Sequence, residues 1–134
     1  MPFVVDASVT ACWAFEDEDH PTAALAFDRL ATDDALAPGL WWYEVRNLLV
    51  MNERRSRRDP ADTAAFLRLL SAMPIQLDHA QNEGEVLRIA RDHRLTVYDA
   101  AYLELAKRAS IPLATLDTDL IRAARAESIP RLES

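Results

Sequence analysis

Four short apolar runs, each separated from the next by helical sequence, constrain the fold of this 134-residue chain more than any other feature. They lie at residues 3–6, 35–38, 74–78 and 111–116, and residues 129–130 add a possible short edge strand. Parallel strands need long crossover connections, which are usually helices that pack on the sheet. The pattern therefore predicts one α/β domain over residues 1–134, with a short central parallel sheet flanked by helices on both faces.

The segments between these runs carry helix signals. Ser8 is predicted to cap the first helix, and Asp59 followed by Pro60 begins the fourth. We expect further helices at about residues 22–33, 40–56, 79–93 and 118–126, and another that starts near Val97 with Asp99 in its first turn. In the fourth helix the inward side chains are expected to be Phe66, Leu67, Leu69 and Leu70.

Composition excludes several classes of protein. The chain has two glycines, Gly39 and Gly84, so it contains neither a Walker loop nor a Rossmann fingerprint. Cys12 is the only cysteine, which excludes a disulfide framework and a cysteine-based zinc site. No apolar run is long enough to span a bilayer, so we expect a cytoplasmic protein with no membrane partner. The formal net charge of −7 argues against binding nucleic acid by charge alone, although not against binding phosphate through a metal ion.

Four acidic residues stand at structurally marked positions. Asp6 and Asp117 follow the first and last apolar runs, and Asp99 lies in the first turn of a helix. Glu44 interrupts an apolar helical stripe, on the same face as Asn52, that consists of Trp41, Val45, Leu48 and Leu49. Each acid alone could be a helix cap or the partner of an arginine. Because strand ends and helix starts of a parallel sheet converge on one edge, all four together predict one site there. Asn47, one turn after Glu44, can lean toward the same place.

Clustered carboxylates favour a hard divalent cation. Carboxylates at close range repel one another and raise one another's pKa, and a cation among them reverses that cost. Oxygen-only ligands select Mg²⁺ or Mn²⁺ over zinc. Such a site suits phosphodiester hydrolysis with one or two metal ions. No serine or cysteine lies in a suggestive pattern with a histidine to offer a competing nucleophile.

Other charged residues could have binding roles. Arg54, Arg55, Arg57 and Arg58 close the helix that carries Glu44, and they fit either a solvated helix end or a grip on substrate phosphates or an acidic partner segment. The acidic run at residues 16–19 is interpreted as a solvated loop. His79 and His93 match no metal-ligand spacing and are expected at the surface.

Three segments of the sequence resemble PIN domains, and more narrowly the VapC-type ribonuclease toxins. They are VVDASV with Asp6 and Ser8, PGLWWYEVRNLL with Glu44 and Asn47, and LTVYDAAYLELAKRASIPLATLDTDL with Asp99 and Asp117. The resemblance covers essentially the whole chain in the right order. It implies an endoribonuclease toxin of a type II toxin–antitoxin system that depends on Mg²⁺ or Mn²⁺, forms a homodimer and binds a cognate antitoxin.

The same resemblance assigns roles to residues. Asp6, Glu44, Asp99 and Asp117 would be the acidic quartet, in which the three aspartates hold metal and Glu44 holds it through water or orients the attacking water. Ser8 and Thr115 would support the quartet with hydrogen bonds, and Asp119 could be the ligand instead of Asp117. The arginines at residues 54–58 are the best local candidates for RNA contact.

Two other functions fit the same acids. A receiver-like phospho-acceptor domain also clusters acids and Mg²⁺ at strand ends, but it needs a lysine at the end of a late strand, whereas Lys107 falls within a helical segment. A non-catalytic binding module with the same fold is the second alternative, and it would bind no divalent metal.

Overall fold

Four parallel strands, β1 (Phe3–Val5), β2 (Ala35–Pro38), β3 (Ile75–Asp78) and β4 (Leu113–Ala114), form a single sheet in the order β3-β2-β1-β4, which confirms the predicted fold class. The structure, a computed structural model, describes residues 1–15, 20–55 and 58–133. The elements in chain order are β1 (Phe3–Val5), α1 (Ala7–Cys12), α2 (Pro21–Arg29), β2 (Ala35–Pro38), α3 (Leu40–Arg54), α4 (Pro60–Ser71), β3 (Ile75–Asp78), α5 (Glu83–His93), α6 (Val97–Ala109), β4 (Leu113–Ala114) and α7 (Thr118–Ala126). Within those ranges no helix is both long and apolar enough to cross a membrane.

Strand β1 is central and is covered on both faces. Its side chains alternate, as they must in a strand: Val4 packs into one apolar cluster, while Phe3 and Val5 pack into another. The first cluster contains side chains of α3, α5, α6 and α7, and the second contains side chains of α1 and α2. The helices therefore lie on both faces of the sheet, as is typical of parallel sheets with apolar strands.

The register of β1 and β4 brings two functional segments to one edge. Val5 pairs with Ala114, so the residues that follow the two strands leave the sheet side by side. Asp6 comes directly after β1, and Thr115 comes directly after β4. This edge holds the carboxyl ends of the strands, where open α/β sheets place their ligands.

Strand β4 is shorter than the predicted run at 111–116. Beyond Ala114 the backbone finds side-chain partners in place of a sheet ladder: the Leu116 amide donates to Ser8 Oγ, and the Asp117 amide donates to Thr115 Oγ1. The predicted edge strand at 129–130 is also reduced, because one residue later Arg131 forms only an isolated bridge with Leu113.

Several helix boundaries differ from those expected. Helix α1 is capped by Asp6 and not by Ser8, because the Asp6 carboxylate accepts from the Val9 amide. Helix α2 ends at Arg29, short of residue 33. Helix α5 begins at Glu83 and not at residue 79, because the Asn82 side chain caps it by accepting from the Glu85 amide.

Three side chains are placed differently from expectation. Leu69 is exposed on α4, although Phe66 and Leu70 on the same helix are buried. Leu48 is also exposed, because it faces the cavity at the sheet edge described below. His93 is not a surface residue, because it contacts Glu127 and its side chain is 13% exposed. The acidic run at 16–19 lies outside the described residues.

Candidate active site

A cavity of about 210 Å³ opens at the edge of the sheet where β1 and β4 end. All four acids singled out from the sequence line it, although they come from different parts of the chain. Its lining residues are Asp6, Ala7, Ser8, Glu44, Asn47, Leu48, Asp99, Tyr102, Asp117 and Leu120. The fold therefore brings together acids that are more than a hundred residues apart in sequence.

Asp6 is the most buried of the four acids, with 3% of its surface exposed. Its Oδ1 accepts from the Ser8 hydroxyl at 2.7 Å and from the Val9 amide at 3.0 Å, and its Oδ2 accepts from the Thr115 hydroxyl. Burial raises the pKa of Asp6, and the hydrogen bonds from Thr115, Val9 and Ser8 oppose that rise. The nearby charge of Asp117 raises the pKa further. The donors thus fix a carboxylate that burial alone would neutralise.

A second layer of hydrogen bonds fixes the backbone of Asp6. The Trp41 indole donates to Thr10 Oγ1 at 2.9 Å, and the Thr10 hydroxyl donates to the Asp6 carbonyl at 2.9 Å. Both Thr10 and Trp41 are buried. Helix α3 is therefore joined through its first turn to the residue that begins the site.

Asp117 caps α7 at the same edge. Its Oδ1 accepts from the Asp119 amide at 2.8 Å and from the Leu120 amide at 3.0 Å. An acid at a helix N-terminus satisfies free amides and interacts favourably with the helix dipole. Asp117 was predicted either to cap a helix or to face the site. It does both, because it caps α7 and lines the cavity.

Glu44 lies on α3 and reaches across to α6. Its Oε1 accepts from the Tyr102 hydroxyl at 2.5 Å, so its partner is a tyrosine and not an arginine. Burial raises the pKa of Glu44, the Tyr102 hydrogen bond opposes that rise, and the charges of Asp99 and Asp6 add to it. Burial and the Glu44 contact raise the pKa of the Tyr102 hydroxyl, which therefore stays protonated and donates.

Asp99 lies in the first turn of α6, as predicted. Thr96 is the N-cap, and its Oγ1 accepts from the Asp99 amide at 3.0 Å. Burial raises the pKa of the Asp99 carboxyl, and the charges of Asp117 and Asp119 raise it further. A hydrogen bond with Thr96 opposes the rise in the Asp99 pKa.

The cavity has the donor chemistry of a hard-metal site. Its polar lining consists of carboxylates, Ser8, Asn47 and Tyr102, and no lysine, arginine or histidine of the described residues lines it. The described part of the chain holds no three His, Cys, Asp or Glu side chains already arranged to ligate one ion. The donors therefore fit Mg²⁺ or Mn²⁺ in chemistry, and they line the cavity without forming a closed ligand set.

The remaining predicted residues lie around this cavity. Thr115 is buried behind Asp6, while Asp119 does not line the cavity and lies 3.6 Å from Arg122 in an exposed pair. Among the arginines, Arg54 and Arg55 are exposed at the end of α3, and Arg57 lies outside the described residues.

Arg58 has a structural environment. Its guanidinium donates to the carbonyls of Ala14 and Asp62, the latter at 3.0 Å. It also lies over the rings of Phe15 and Phe66. These contacts join α4 to the segment after α1, which favours a role in packing over one in binding.

Sequence reasoning missed Tyr102. The signal was present, because Tyr102 follows Asp99 by three residues in α6 and so lies on the same helical face. Leu48 and Leu120, which form the apolar part of the cavity lining, were likewise not assigned to the site.

Comparison with known proteins decides the family. Residues 3–126 match the PIN domain. The chain belongs to the PIN domain family. It is also 33% identical over 139 residues, covering 98% of each chain, to Ribonuclease VapC3 of Pyrobaculum aerophilum. The VapC-type resemblance found in the sequence of this PIN domain is confirmed.

Solved structures agree with that assignment. This PIN domain is similar to the crystal structure of PAE2754 from Pyrobaculum aerophilum, with a TM-score of 0.73 and 25% identity over 92% of this chain and 84% of that one. It shares its fold with Mycobacterium tuberculosis VapC20, described as a sarcin–ricin loop cleaving toxin, with a TM-score of 0.65 and 13% identity over 98% and 99% of the two chains.

Membership in this family argues against the receiver-like alternative. Lys107 lies within α6, where its Nζ contacts Glu127 Oε1 at 2.8 Å, and it does not line the cavity. The lysine that a phospho-acceptor site needs is therefore absent from the described lining.

Proposed function

We propose that this PIN domain is a metal-dependent endoribonuclease and the toxin of a type II toxin–antitoxin pair. The observation that carries the proposal is one cavity lined by Asp6, Glu44, Asp99 and Asp117, with no basic side chain among its described lining residues to neutralise them. The name Ribonuclease VapC3, borne by a relative similar over nearly the whole chain, supports the same activity.

The four carboxylates would hold Mg²⁺ or Mn²⁺. The chemistry that such an ion supplies when bound is polarisation of a phosphoryl oxygen and acidification of a water. Other groups of the chain hold and orient these carboxylates: Ser8 and Thr115 fix Asp6, Tyr102 contacts Glu44, and the amides of α7 fix Asp117. Asn47 adds an amide to the cavity wall, and we expect it to hydrogen-bond to the RNA. A cation within the cavity would also offset the repulsion of RNA by a chain with a net charge of −7.

Asp99→Asn is the sharpest test of the activity. The change removes one charge from the cavity but no helix cap, because Thr96 caps α6. We expect RNA cleavage to fall by at least about 100-fold with an unchanged circular dichroism spectrum, since removing one group that stabilises the transition state slows an enzyme by about 10²–10³. The measurement is cleavage of total bacterial RNA by the purified protein in Mg²⁺. Asp6→Asn is expected to lose cleavage too.

Asp62→Asn is the matched control, because Asp62 is an exposed acid in the first turn of α4, away from the cavity. It should cleave at the wild-type rate. Undiminished cleavage by Asp99→Asn and Asp6→Asn would reject the assignment of the site. If wild-type protein neither cleaves RNA nor releases heat when titrated with Mn²⁺, the non-catalytic binding module is the better description.

A homodimer and a cognate antitoxin are the partners that we propose from the VapC resemblance. The exposed side chains of Trp42, Tyr43 and Val50 on α3 support a protein contact, since grouped apolar surface marks interaction sites. Exposed Arg54 and Arg55 near the end of the same helix suit RNA phosphate or an acidic antitoxin segment. Light scattering on the purified chain tests the dimer, and a monomer at micromolar concentration would contradict it.

A further inference from the structure

The roles proposed above for the four acids do not account for the contact between Tyr102 and Glu44. The hydroxyl of Tyr102 donates to Glu44 Oε1 at 2.5 Å across 58 residues of sequence, from α6 to α3. Tyr102 is 2% exposed, and its ring is packed in the main apolar cluster. A buried tyrosine hydroxyl needs a polar partner, and here that partner is one of the four acids.

Glu44 differs from its neighbours in how it is held. Asp6 accepts hydrogen bonds from two hydroxyls and an amide, and Asp117 accepts two amides at the start of α7. Glu44 has a longer and more rotatable side chain, lies in mid-helix where backbone amides are already bonded, and accepts from Tyr102. Among the residues that the structure describes, Tyr102 is the one donor to the Glu44 side chain, so the orientation of Glu44 toward the cavity depends on that hydrogen bond.

Helix α6 contributes to the site twice. Asp99 lies in its first turn, and Tyr102 follows three residues later on the same face. Because the Tyr102 ring is fixed in the core, its hydroxyl stands at a defined point beside the cavity, one helical turn from Asp99. Helix α6 thus carries Asp99 and, through Tyr102, contacts Glu44 on α3.

We propose that Tyr102 is a positioning residue that fixes the Glu44 carboxylate in the orientation needed to hold a divalent metal ion. The inference rests on the proposed function, since it concerns the same site. A residue that orients a metal ligand by hydrogen bonding typically changes metal affinity by about 10- to 100-fold when it is removed. Tyr102 itself acts through Glu44 and not on the substrate.

The test is Tyr102→Phe, which removes the hydroxyl and keeps the ring in the core. We expect the dissociation constant for Mn²⁺, measured by titration calorimetry, to rise by about 10- to 100-fold. RNA cleavage should fall mainly in kcat at saturating RNA, with KM for RNA little changed. Tyr98→Phe is the matched control, because it removes an exposed hydroxyl from the same helix and should leave Mn²⁺ affinity unchanged.

A double-mutant cycle separates positioning from a structural role. In a Glu44→Gln background, Tyr102→Phe should cause no further loss of Mn²⁺ affinity, because the carboxylate that it orients is already gone. A structural role would instead lower the unfolding midpoint and the affinity in both backgrounds. Equal losses in the two backgrounds, or wild-type affinity in Tyr102→Phe, would overturn the proposal.

Glu44→Asp provides a second route if Tyr102→Phe does not fold. The shorter side chain withdraws the carboxylate from the Tyr102 hydroxyl without altering the core, so Mn²⁺ affinity should fall nearly as far as in Glu44→Gln. Wild-type affinity in Glu44→Asp would overturn the proposal. Absence of Mn²⁺ binding by wild-type protein would overturn both this inference and the proposed function, whereas wild-type binding with an unaffected Tyr102→Phe would overturn the inference alone.

Discussion

Single residues at the site combine folding and chemistry. Asp6 caps α1 and Asp117 caps α7, and both line the cavity. A buried carboxylate is tolerated only when hydrogen bonds compensate its lost hydration. Thr115 provides one such bond, because its hydroxyl donates to Asp6 Oδ2, and its oxygen also accepts from the Asp117 amide.

Thr115→Val tests this compensation. Valine keeps the shape of threonine but leaves Asp6 and the Asp117 amide without that partner, so we expect a loss of about 1–3 kcal/mol in the free energy of unfolding. Urea denaturation measures the change. Thr32→Val is the control, because Thr32 lies in an exposed turn, and it should change stability by less than about 0.5 kcal/mol. Equal stability of Thr115→Val and wild type would contradict the argument.

At the scale of elements, one carboxylate joins three helices. Glu127, the C-cap residue of α7, contacts Arg88 on α5 at 2.8 Å, His93 at the end of α5 at 2.6 Å and Lys107 on α6 at 2.8 Å. Its side chain is 10% exposed, so solvent screens the charge of Glu127 less than the charges of Arg88 and Lys107, which are 38% and 44% exposed. The network fixes α6 against α5 and α7, and α6 carries Asp99 and Tyr102.

Glu127→Gln should weaken this network. Hydrogen bonds from Arg88, His93 and Lys107 hold the pKa of Glu127 below its usual value, so its contribution to stability is present above about pH 4.5 and is lost as the pH falls further. We expect the variant to lose about 1–3 kcal/mol at pH 7 and to show a shallower loss of stability in acid. Urea denaturation from pH 7 to pH 3 measures both.

Asp92→Asn is the matched control for Glu127→Gln. Asp92 contacts the same Arg88 at 3.0 Å, but its side chain is 55% exposed, so the pair should contribute less than about 0.5 kcal/mol. Similar losses from the two substitutions would mean that the lower exposure of Glu127 adds nothing to the stability.

Element boundaries were the least predictable part of the fold. Helices α5 and α6 end with Arg94 and Ser110 in the left-handed region, at φ 54° and 55°. Glycine usually marks such a position, so a chain with two glycines lacks that signal. The predicted cap of α1 was wrong because Asp6 and Ser8 are both good caps, and only the structure identifies which one accepts from the Val9 amide.

For the molecule as a whole, the parallel sheet and the place of the candidate site were largely predictable, whereas the strand order was not predicted. Apolar runs separated by helices fix a parallel sheet, and its geometry places Asp6 after β1 and Asp117 after β4 at one edge. Glu44 was predictable because an acid interrupts an apolar stripe. Tyr102 was not singled out, because a tyrosine at helical spacing in an apolar segment resembles an ordinary core residue. The contacts of Arg58 depend on tertiary packing that no local pattern encodes.

The clustered acids should oppose stability when no metal is bound. The pKa of Asp6, Glu44 and Asp99 is raised in the fold, so their contribution to stability is greatest in acid and is lost as the pH rises through those pKa values. At pH 7 with a chelator, Asp99→Asn should therefore be more stable than wild type, by about 0.5–1 kcal/mol.

Added Mg²⁺ should reverse that order, because a ligand that binds the folded state stabilises it. Thermal unfolding of both proteins, with and without 10 mM Mg²⁺ (a concentration roughly 10-fold above millimolar affinity), measures the two effects. Wild-type protein that stays the less stable of the two in Mg²⁺ would contradict this prediction.

Asp6 and Asp117 each cap a helix and also line the cavity, so mutations that inactivate such a protein should differ in their effect on its abundance. Spontaneous inactivating alleles that replace Asp6 or Asp117 with a residue other than asparagine, serine or threonine should lower the amount of protein in the cell, since each removes a helix cap. Alleles at Glu44 or Asp99 should leave abundance intact, because neither residue is a cap. The inactive protein would persist at full length and could still bind an inhibitor made by the same cell.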